Sequence, residues 1–304
     1  LPTDSLRETR DSVRRLDEIV VYARQMLGSK LEARNRTGSA YYLSPKELAK
    51  FGYTDISRML RAVPGVNIYE EDGYGLRPNI SLRGTKAERS ERISLMEDGI
   101  LAAPAPYAAP AAYYFPNAAR MYAIEVLKGS SQVQYGPFTT GGAVNMVSTP
   151  IPKTFHAGLR TSYGSYGTFN SYVHVGNDHK HIGYLIEYLR YQSKGFKKDE
   201  PNERTGFYRN DVVGKLRLHS DEGAETRQAL ELKLGFANEH SDESYVGLSE
   251  QDFASRPYYR YRGAQMDNLR TRHVQTALTH LIDFTGGLKV TTSAYYNYFW
   301  RNWY

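Results

Sequence analysis

The second half of the chain, from about residue 155, alternates between apolar and polar residues, and this pattern constrains the fold more than any other feature. In the segment LELKLGF the two kinds of residue occupy alternate positions: Leu230, Leu232, Leu234 and Phe236 against Glu231 and Lys233. Segments 212–218 and 288–298 repeat the pattern. Successive side chains of a β-strand point to opposite faces, so strict alternation predicts strands. About seven such strands precede Tyr304 and no helical period interrupts them, which predicts an antiparallel sheet.

The connections between these strands differ in length. The long ones are 193–207 and 238–268, and the short ones are 164–167, 176–183, 219–226 and 284–287. If the first strand rises from the inner end, strand parity puts both long connections on one side. Long loops on one side and tight turns on the other are typical of membrane β-barrels. A barrel of about eight strands is filled by its own side chains, and an open sheet of seven strands facing lipid would leave the backbone groups of its edge strands unpaired. We therefore expect these seven strands to be the first part of a larger barrel.

Composition narrows the class of protein without deciding it. The 304 residues contain no apolar run of about 18, so no transmembrane helix is expected, whereas a barrel is compatible with this composition. The chain has 26 tyrosines against 11 phenylalanines, which suits a membrane-interface girdle or a polar binding surface but also a soluble β-sandwich. The net charge of +6 comes without a dense basic block, so nucleic acid is not expected as a partner. The absence of cysteine excludes a disulfide scaffold. The polar start of the chain suggests a mature or trimmed N-terminus.

The first half of the chain combines helices and strands. Ser44 with Glu47 is a capping box that predicts a helix ending at Gly52, and a second helix is predicted before Pro64. Strands are predicted at 79–84 and 92–98, and the second ends in an Asp-Gly hairpin turn. In the stretch 121–149, Ile124 and Val126 share one strand face and Glu125 and Leu127 share the other. A glycine-bounded loop follows, and a second strand covers 143–147. Residues 101–116 are rich in Ala, Pro and Tyr, which predicts an ordered loop.

Three strings in this half resemble the plug domain of TonB-dependent outer-membrane transporters. They are DISRMLRAVPGVNI from residue 55, ISLMEDGI from residue 93, and EVLKGSSQVQYG followed by GGAVN from residue 125. The resemblance implies an α+β plug domain inside a transmembrane antiparallel β-barrel of about 22 strands, of which about the first seven are present. It divides the chain into a flexible N-terminal segment (1–16), a TonB box (17–23), the plug (24–153) and the N-terminal part of the barrel (154–304).

The function that the resemblance implies is energised import of a ferric chelate across the bacterial outer membrane, with no reaction catalysed and no covalent cofactor. The implied partners are TonB with its inner-membrane energising complex, the ferric chelate, and outer-membrane lipid and lipopolysaccharide. The TonB box, facing the periplasm, would add a strand to TonB through Asp17, Glu18, Ile19, Val20 and Val21. Without the resemblance, a short β-branched run of this kind indicates only a strand.

Further site residues follow from the same resemblance. Arg83 and Lys128 occupy the positions of cations that lock the plug to carboxylates of the barrel wall. Lysine binds a carboxylate less bidentately than arginine does, and the alternative is that both side chains are simply solvated. The strings LMEDGI with APYAAP, and GLSEQDF with RPYYR, resemble the ferric dicitrate transporters of the family.

Tyrosine and arginine together suit a ligand that carries carboxylates, because arginine forks bind carboxylates in pairs of hydrogen bonds. The candidate ligand residues are Tyr107, Tyr113, Tyr114, Arg256, Tyr258, Tyr259, Arg260 and Arg262. A basic loop in contact with lipopolysaccharide is the alternative for the arginines. Uptake of another siderophore, a cobalamin or an oligosaccharide is the alternative for the function.

Other classes of function fit the sequence less well. A passive porin needs neither a plug nor a TonB box, and a soluble lectin or hydrolase does not explain the plug strings. We find no catalytic or phosphate-binding motif. The spacing of His174, His179 and His181 permits a metal site, but strand parity puts the last two in an inner turn, away from the path of a ligand.

Overall fold

The computed structural model describes residues 25–36, 38–52, 54–102, 114–129, 133, 135–136, 140–198, 205–221 and 223–304. The predicted N-terminal segment and TonB box lie outside the described residues, as do Tyr107 and Tyr113. The described chain forms two parts, a small α+β unit up to Ser148 and a seven-stranded sheet from His156 onward. These two elements flank the predicted plug–barrel boundary at 153/154.

The α+β unit, which we call the plug, is built on a five-stranded sheet. Its strands lie in the order β1-β6-β7-β4-β5, with β4 parallel to β7 and the other pairs antiparallel. Strands β2 and β3 pair separately. The strands are β1 Ser39–Leu43, β2 Val66–Tyr69, β3 Asn79–Leu82, β4 Ile93–Glu97, β5 Ile100–Leu101, β6 Met121–Lys128 and β7 Gly142–Ser148. The helices are α1 Lys30–Asn35, α2 Pro45–Phe51 and α3 Ile56–Leu60, and the 3-10 turns are Glu88–Ser90 and Ala118–Arg120.

Local signals in the plug sequence act as predicted. The Ser44 hydroxyl accepts from the Glu47 amide while the Glu47 carboxylate accepts from the Ser44 amide, so the capping box of α2 is confirmed. Gly52 ends α2 in the left-handed conformation, with φ of 57°. Asp98 and Gly99 both have positive φ, 54° and 76°, which is the pattern of the tight turn that joins paired strands β4 and β5.

Strand β6 separates the two hydrophobic cores of the plug. Ile124 and Val126 pack with α3 and with residues of β3, β4 and β7. Leu127 faces the other side and packs in a cluster with Met26 and Leu27. The predicted division of β6 into two faces is therefore confirmed, and Glu125 is buried on the side of Leu127.

The seven-stranded sheet, which we call the wall, is an antiparallel meander in chain order. The short connections that follow β9, β11 and β13 lie at one end, and the connections that follow β8, β10 and β12 lie at the other, which we call the outer end. The last of these contains helix α4, Glu250–Ser255. The strands are β8 His156–Gly164, β9 Thr168–His179, β10 Ile182–Ser193, β11 Phe207–His219, β12 Thr226–Ser241, β13 Leu269–Phe284 and β14 Lys289–Trp303. The predicted strand number and the alternation of loop lengths are confirmed.

Burial in the wall is the reverse of that in a water-soluble sheet. On β12, Leu234 is 50% exposed and Phe236 is 43% exposed, whereas Glu231 and Lys233 are at most 2% exposed. Strand β11 alternates in the same way, whereas the buried face of β10 carries Leu185 and Leu189 as well as Glu187. On β11 and β12 the charged side chains therefore point inward and most of the apolar ones outward. A sheet with this arrangement suits an apolar surrounding medium.

The helices of the described residues are too short and too polar for any of them to cross a membrane.

Gly142, at the start of β7, is required by close packing and by its backbone conformation. Its φ is +150°, and a Cβ atom there would lie 2.3 Å from both the Leu127 carbonyl oxygen and Leu82 Cδ1. We expect Gly142→Ala to destabilise the plug by roughly 2 kcal/mol or more, because it combines overpacking with an unfavourable φ. Gly214→Ala on β11 is the control, since a Cβ there meets nothing within 4 Å. Thermal unfolding of the complete protein in detergent measures both, and equal melting temperatures would contradict this account of Gly142.

Candidate functional site

The centre of the contact between plug and wall is a cluster of buried charges. Glu97 lies at the end of β4, and Arg120 lies just before β6. Arg120 donates through Nη1 and Nη2 to the two carboxylate oxygens of Glu97, at 2.8 and 2.9 Å. Its Nε donates to Asp211 of β11 at 2.7 Å. The guanidinium therefore joins a plug carboxylate to a wall carboxylate.

Two lysines of the wall complete this cluster. Lys233 Nζ lies 2.6 Å from both Glu97 Oε1 and Asp98 Oδ2. Lys215 Nζ donates to the Ser148 hydroxyl at 2.7 Å, and that hydroxyl donates to Asp98 at 2.5 Å. The cluster thus contains three carboxylates, those of Glu97, Asp98 and Asp211, and three cations, those of Arg120, Lys215 and Lys233. Burial by itself would raise the pKa of Glu97, but Arg120 and Lys233 outweigh burial and hold that pKa at about 2.

A second ion pair fixes the outer end of the plug to the wall. The guanidinium of Arg77 is buried, and its Nη2 lies 2.6 Å from Glu239 Oε1 and 2.7 Å from Glu243 Oε2. Elsewhere the wall holds the plug through backbone carbonyls, as where Arg209 Nη2 donates to the Phe115 carbonyl at 2.6 Å. The contact between plug and wall is therefore polar at several points along its length.

The predicted lock residues lie away from these charges. Arg83 is exposed at the end of β3, and Lys128 is buried with its ammonium donating to the Pro64 carbonyl. Burial and then the neighbouring Arg83 lower the pKa of Lys128. None of the ion pairs formed within the described residues includes either side chain, so their pairing with a wall carboxylate stays a prediction. Arg120 joins plug to wall here, and sequence reasoning missed it.

A signal for the charge cluster was present in the sequence. Glu97 ends a strand that begins with the mostly apolar run ISLM, and Asp98 follows it, so their carboxylates are buried unless the strand stops at the surface. Asp211, Lys215 and Lys233 stand on the inward side of strands whose outward side is apolar. Charged residues on both sides of one contact require partners across it.

Two of the predicted ligand residues serve a structural purpose instead. Arg260 is only 4% exposed, and its guanidinium donates to the carbonyls of Asp242, Ala264 and Asp267. Tyr114 is buried between plug and wall and stacks on His273, with ring centroids 3.9 Å apart. The prediction that these two side chains are available to a ligand is therefore wrong.

The other predicted ligand residues of the long outer loop remain accessible. Arg262 and Tyr258 are exposed, and Arg256 is exposed while it pairs with Asp252 at 2.8 Å and covers the ring of Tyr259 at 3.8 Å. We call Arg256, Tyr258, Tyr259 and Arg262 the loop crest. The crest is tied to the neighbouring outer loop through the backbone of Lys198. The Lys198 amide donates to the Tyr258 carbonyl, and the Lys198 carbonyl accepts from the Arg260 amide.

A cavity of about 350 Å³ opens between the plug loop at 69–76 and the outer loops, and Phe196 in its lining lies near Tyr258 of the crest, with ring centroids 6.1 Å apart. Aromatic rings and Lys197 are among the groups that line this cavity. Its carboxylates are Glu70, Glu71, Asp72, Asp242 and Glu243. So much negative charge disfavours a multiply anionic ligand inside this cavity.

The histidines whose spacing permits a metal site have other neighbours in the structure. His174 stacks near Tyr172 and His156 on the wall, whereas His181 lies in a turn beside His219. Within the described residues, no group of three or more His, Cys, Asp or Glu side chains is arranged to hold a metal ion.

Comparison with known proteins agrees with this architecture. Residues 32–143 match the family model of the TonB-dependent Receptor Plug Domain. The unliganded ferric citrate transporter FecA has a similar structure, with a TM-score of 0.78 and 22% identity over 91% of this chain and 42% of that chain.

Other solved structures are similar as well. The ferric yersiniabactin uptake receptor FyuA from Yersinia pestis gives a TM-score of 0.66 at 18% identity, over 89% of this chain and 42% of that one. The siderophore receptor PirA from Acinetobacter baumannii gives 0.64 at 19% identity, over 88% and 40%. The chain spans about two-fifths of the length of these receptors.

The fold and the charged contact together define a plug domain seated against barrel strands. Residues 32–143 match the model of the TonB-dependent receptor plug domain, and the described chain has the fold of a plug joined to barrel strands. Among the structures it resembles is that of FecA, a ferric citrate transporter.

Arg120 provides a test of the plug–wall contact. Arg120→Met leaves two buried carboxylates without their shared cation, and we expect a loss of about 3–5 kcal/mol. Lys86→Met is the control, because Lys86 pairs with Glu88 on the plug surface. Limited proteolysis and thermal unfolding of the complete protein should show a looser plug in the first variant and no change in the second. If Arg120→Met resists proteolysis and heat as well as the wild type does, the cluster does not hold the plug.

Proposed function

We propose that this chain is part of a TonB-dependent receptor that imports a ferric chelate across the bacterial outer membrane. One observation carries the proposal, namely a plug bound through buried ion pairs to the polar face of a sheet whose other face is apolar. This arrangement suits a plugged barrel in a membrane, where lipid and lipopolysaccharide meet the outward face. The proposed activity is transport, with no bond made or broken and no covalently bound cofactor.

The energy for this transport is proposed to come from TonB and its inner-membrane energising complex. Residues 17–23 are the proposed TonB box, offered in the periplasm as a strand for β-augmentation through Asp17, Glu18, Ile19, Val20 and Val21. The box lies two residues before the first described residue, and Met26 and Leu27 are already packed against the plug sheet. A pull on the box would therefore reach the plug within a few residues.

A dicitrate-like ferric chelate is the proposed ligand. Arg256 and Arg262 on the loop crest offer charge-assisted bonds to carboxylates, and Tyr258 and Tyr259 add rings and hydroxyl donors beside them. Tyr107 and Tyr113 stay in the proposed ligand set. The likeness to FecA supports this choice of ligand at the level of the fold.

The acidic cavity favours a second candidate ligand. Its aromatic and carboxylate lining suits a neutral or cationic chelate better than an anionic one. Under the dicitrate proposal the ligand contacts the crest and stays out of the cavity. Under the alternative, another siderophore, a cobalamin or an oligosaccharide enters it.

The TonB box is tested by removing one of its backbone donors. A strand added to a partner needs its N–H groups, and proline lacks one, so we expect Ile19→Pro to abolish uptake while surface binding stays normal. Ser12→Pro, upstream of the box, is the matched control and should transport normally. Uptake of labelled ferric chelate and binding to whole cells are measured at equal expression. Normal uptake by Ile19→Pro would remove residues 17–23 from the coupling step.

The ligand is tested at the crest. We expect the double replacement Arg256→Gln with Arg262→Gln to weaken ferric citrate binding at least about tenfold, because each charge-assisted bond is worth more than an exposed surface pair. A neutral siderophore is titrated in parallel, and its affinity should not change. Unchanged affinity for ferric citrate would exclude these arginines from the ligand site. Tight binding of the neutral compound alone would overturn the dicitrate assignment while the transporter proposal stands.

A further inference from the structure

Glu125 is a buried carboxylate that takes no part in the plug–wall contact. It lies on β6 with no exposed surface, and its oxygens accept four hydrogen bonds. Oε2 accepts from the Met26 amide at 2.6 Å and from Asn145 Nδ2 at 2.8 Å. Oε1 accepts from the amides of Leu27 and Gly28 at 2.9 and 2.8 Å. Both oxygens act as acceptors only, which is the bonding pattern of an ionised carboxylate.

The three amides belong to consecutive residues that curve around the carboxylate. Gly28 has a φ of +75°, and its left-handed conformation lets successive N–H groups converge on one anion. The same short segment is held in two further ways. Arg36 Nη1 donates to the Met26 carbonyl at 2.7 Å, and the side chains of Met26 and Leu27 are buried against Ala123 and Leu127. Residues 26–28 are therefore fixed through both their backbone and their side chains.

The position of Glu125 in the sheet determines what this segment is fixed to. Strand β6 lies between β1 and β7 and is hydrogen-bonded to both. Asn145, which donates to Glu125, stands on β7, and its Oδ1 accepts from the Gly99 amide at 2.9 Å. One carboxylate thus connects residues 26–28 to the middle of the plug sheet and to the turn after β4.

We propose that Glu125 and the amides of residues 26–28 form a latch, through which tension on the N-terminal segment first reaches the plug sheet. The proposal rests on the proposed function, because it assumes that TonB pulls on residues 17–23. Only Arg24 and Gln25 separate those residues from Met26 in the sequence. Tension along the backbone acts first on the bonds to Glu125 and through them on β6, so this latch yields before the ion pairs between plug and wall.

The chemistry of the latch predicts which substitution opens it. Glu125→Gln keeps the shape but replaces one acceptor oxygen with an NH₂ group. If the remaining oxygen of the glutamine accepts from the amides of Leu27 and Gly28, its NH₂ group faces the Met26 amide and Asn145 Nδ2. Both of these are donors, so neither can form a hydrogen bond with it. Asn145 cannot turn to accept without giving up the Gly99 amide. Adding Asn145→Asp supplies an acceptor for the glutamine NH₂, so the double variant should be partly restored.

Hydrogen exchange tests the latch independently of transport. In the wild-type complete receptor, the amides of residues 26–28 should exchange slowly. In Glu125→Gln they should exchange at least about tenfold faster, with the double variant in between and strand β7 unchanged. Glu88→Gln, on the plug surface, is the matched control and should exchange as the wild type does. Fast exchange of these amides in the wild type, or no acceleration in Glu125→Gln, would overturn the latch.

Mechanical pulling tests the order of events. These 304 residues contain no cysteine, so Ser5→Cys introduces a defined handle into this part of the chain, and any exposed cysteine elsewhere in the complete receptor is replaced before pulling. Glu125→Gln should lower the force of the first rupture, and Arg120→Met should leave that first rupture unchanged. If exchange accelerates but the first rupture stays at the wild-type force, tension does not pass through Glu125 and the proposal is wrong. Failure to transport any ferric chelate would instead overturn the proposed function, whatever the exchange result.

Discussion

The pairing of Arg120 with Glu97 and Asp211 is the interaction on which the arrangement of plug and wall depends. A buried charge costs several kcal/mol unless an opposite charge and hydrogen bonds compensate it. The inward face of the wall carries buried charges, and several of these charges are compensated because the plug places opposite charges directly facing them. The plug does so at two levels, with Arg120 and Glu97 at its centre and Arg77 at its outer end. Because each group is costly alone, the two parts are bound in one position and one orientation.

Sequence reasoning recovered the features that arise from short-range physics. The capping box of α2, the Asp98-Gly99 turn, the two faces of β6 and the seven strands with alternating loop lengths all depend on residues within a few positions of one another. Strict alternation also separated inward from outward side chains on β12. These predictions needed no knowledge of what lies across the sheet.

The site was predicted less completely, because its contacts join residues far apart in the chain. Arg120 meets Asp211 over 91 positions, and Glu125 meets the Met26 amide over 99. Which charges meet depends on how the plug is rotated against the wall, and alternation along one strand does not contain that rotation. Arg260 was misassigned for a related reason. An arginine among tyrosines in an outer loop has the composition of a binding surface, but its guanidinium is used by three carbonyls of its own loop region.

The role of Arg260 has a consequence for recognition at the outer surface. Its guanidinium fixes the path of residues 260–267, and the hydrogen bonds of Lys198 fix the crest to the adjoining loop. The crest is therefore ordered before any ligand arrives, and little conformational entropy remains to be lost on binding. Under the proposed function, a surface prepared in this way discriminates between chelates by the spacing of their oxygens, because it cannot reshape itself around a poor fit.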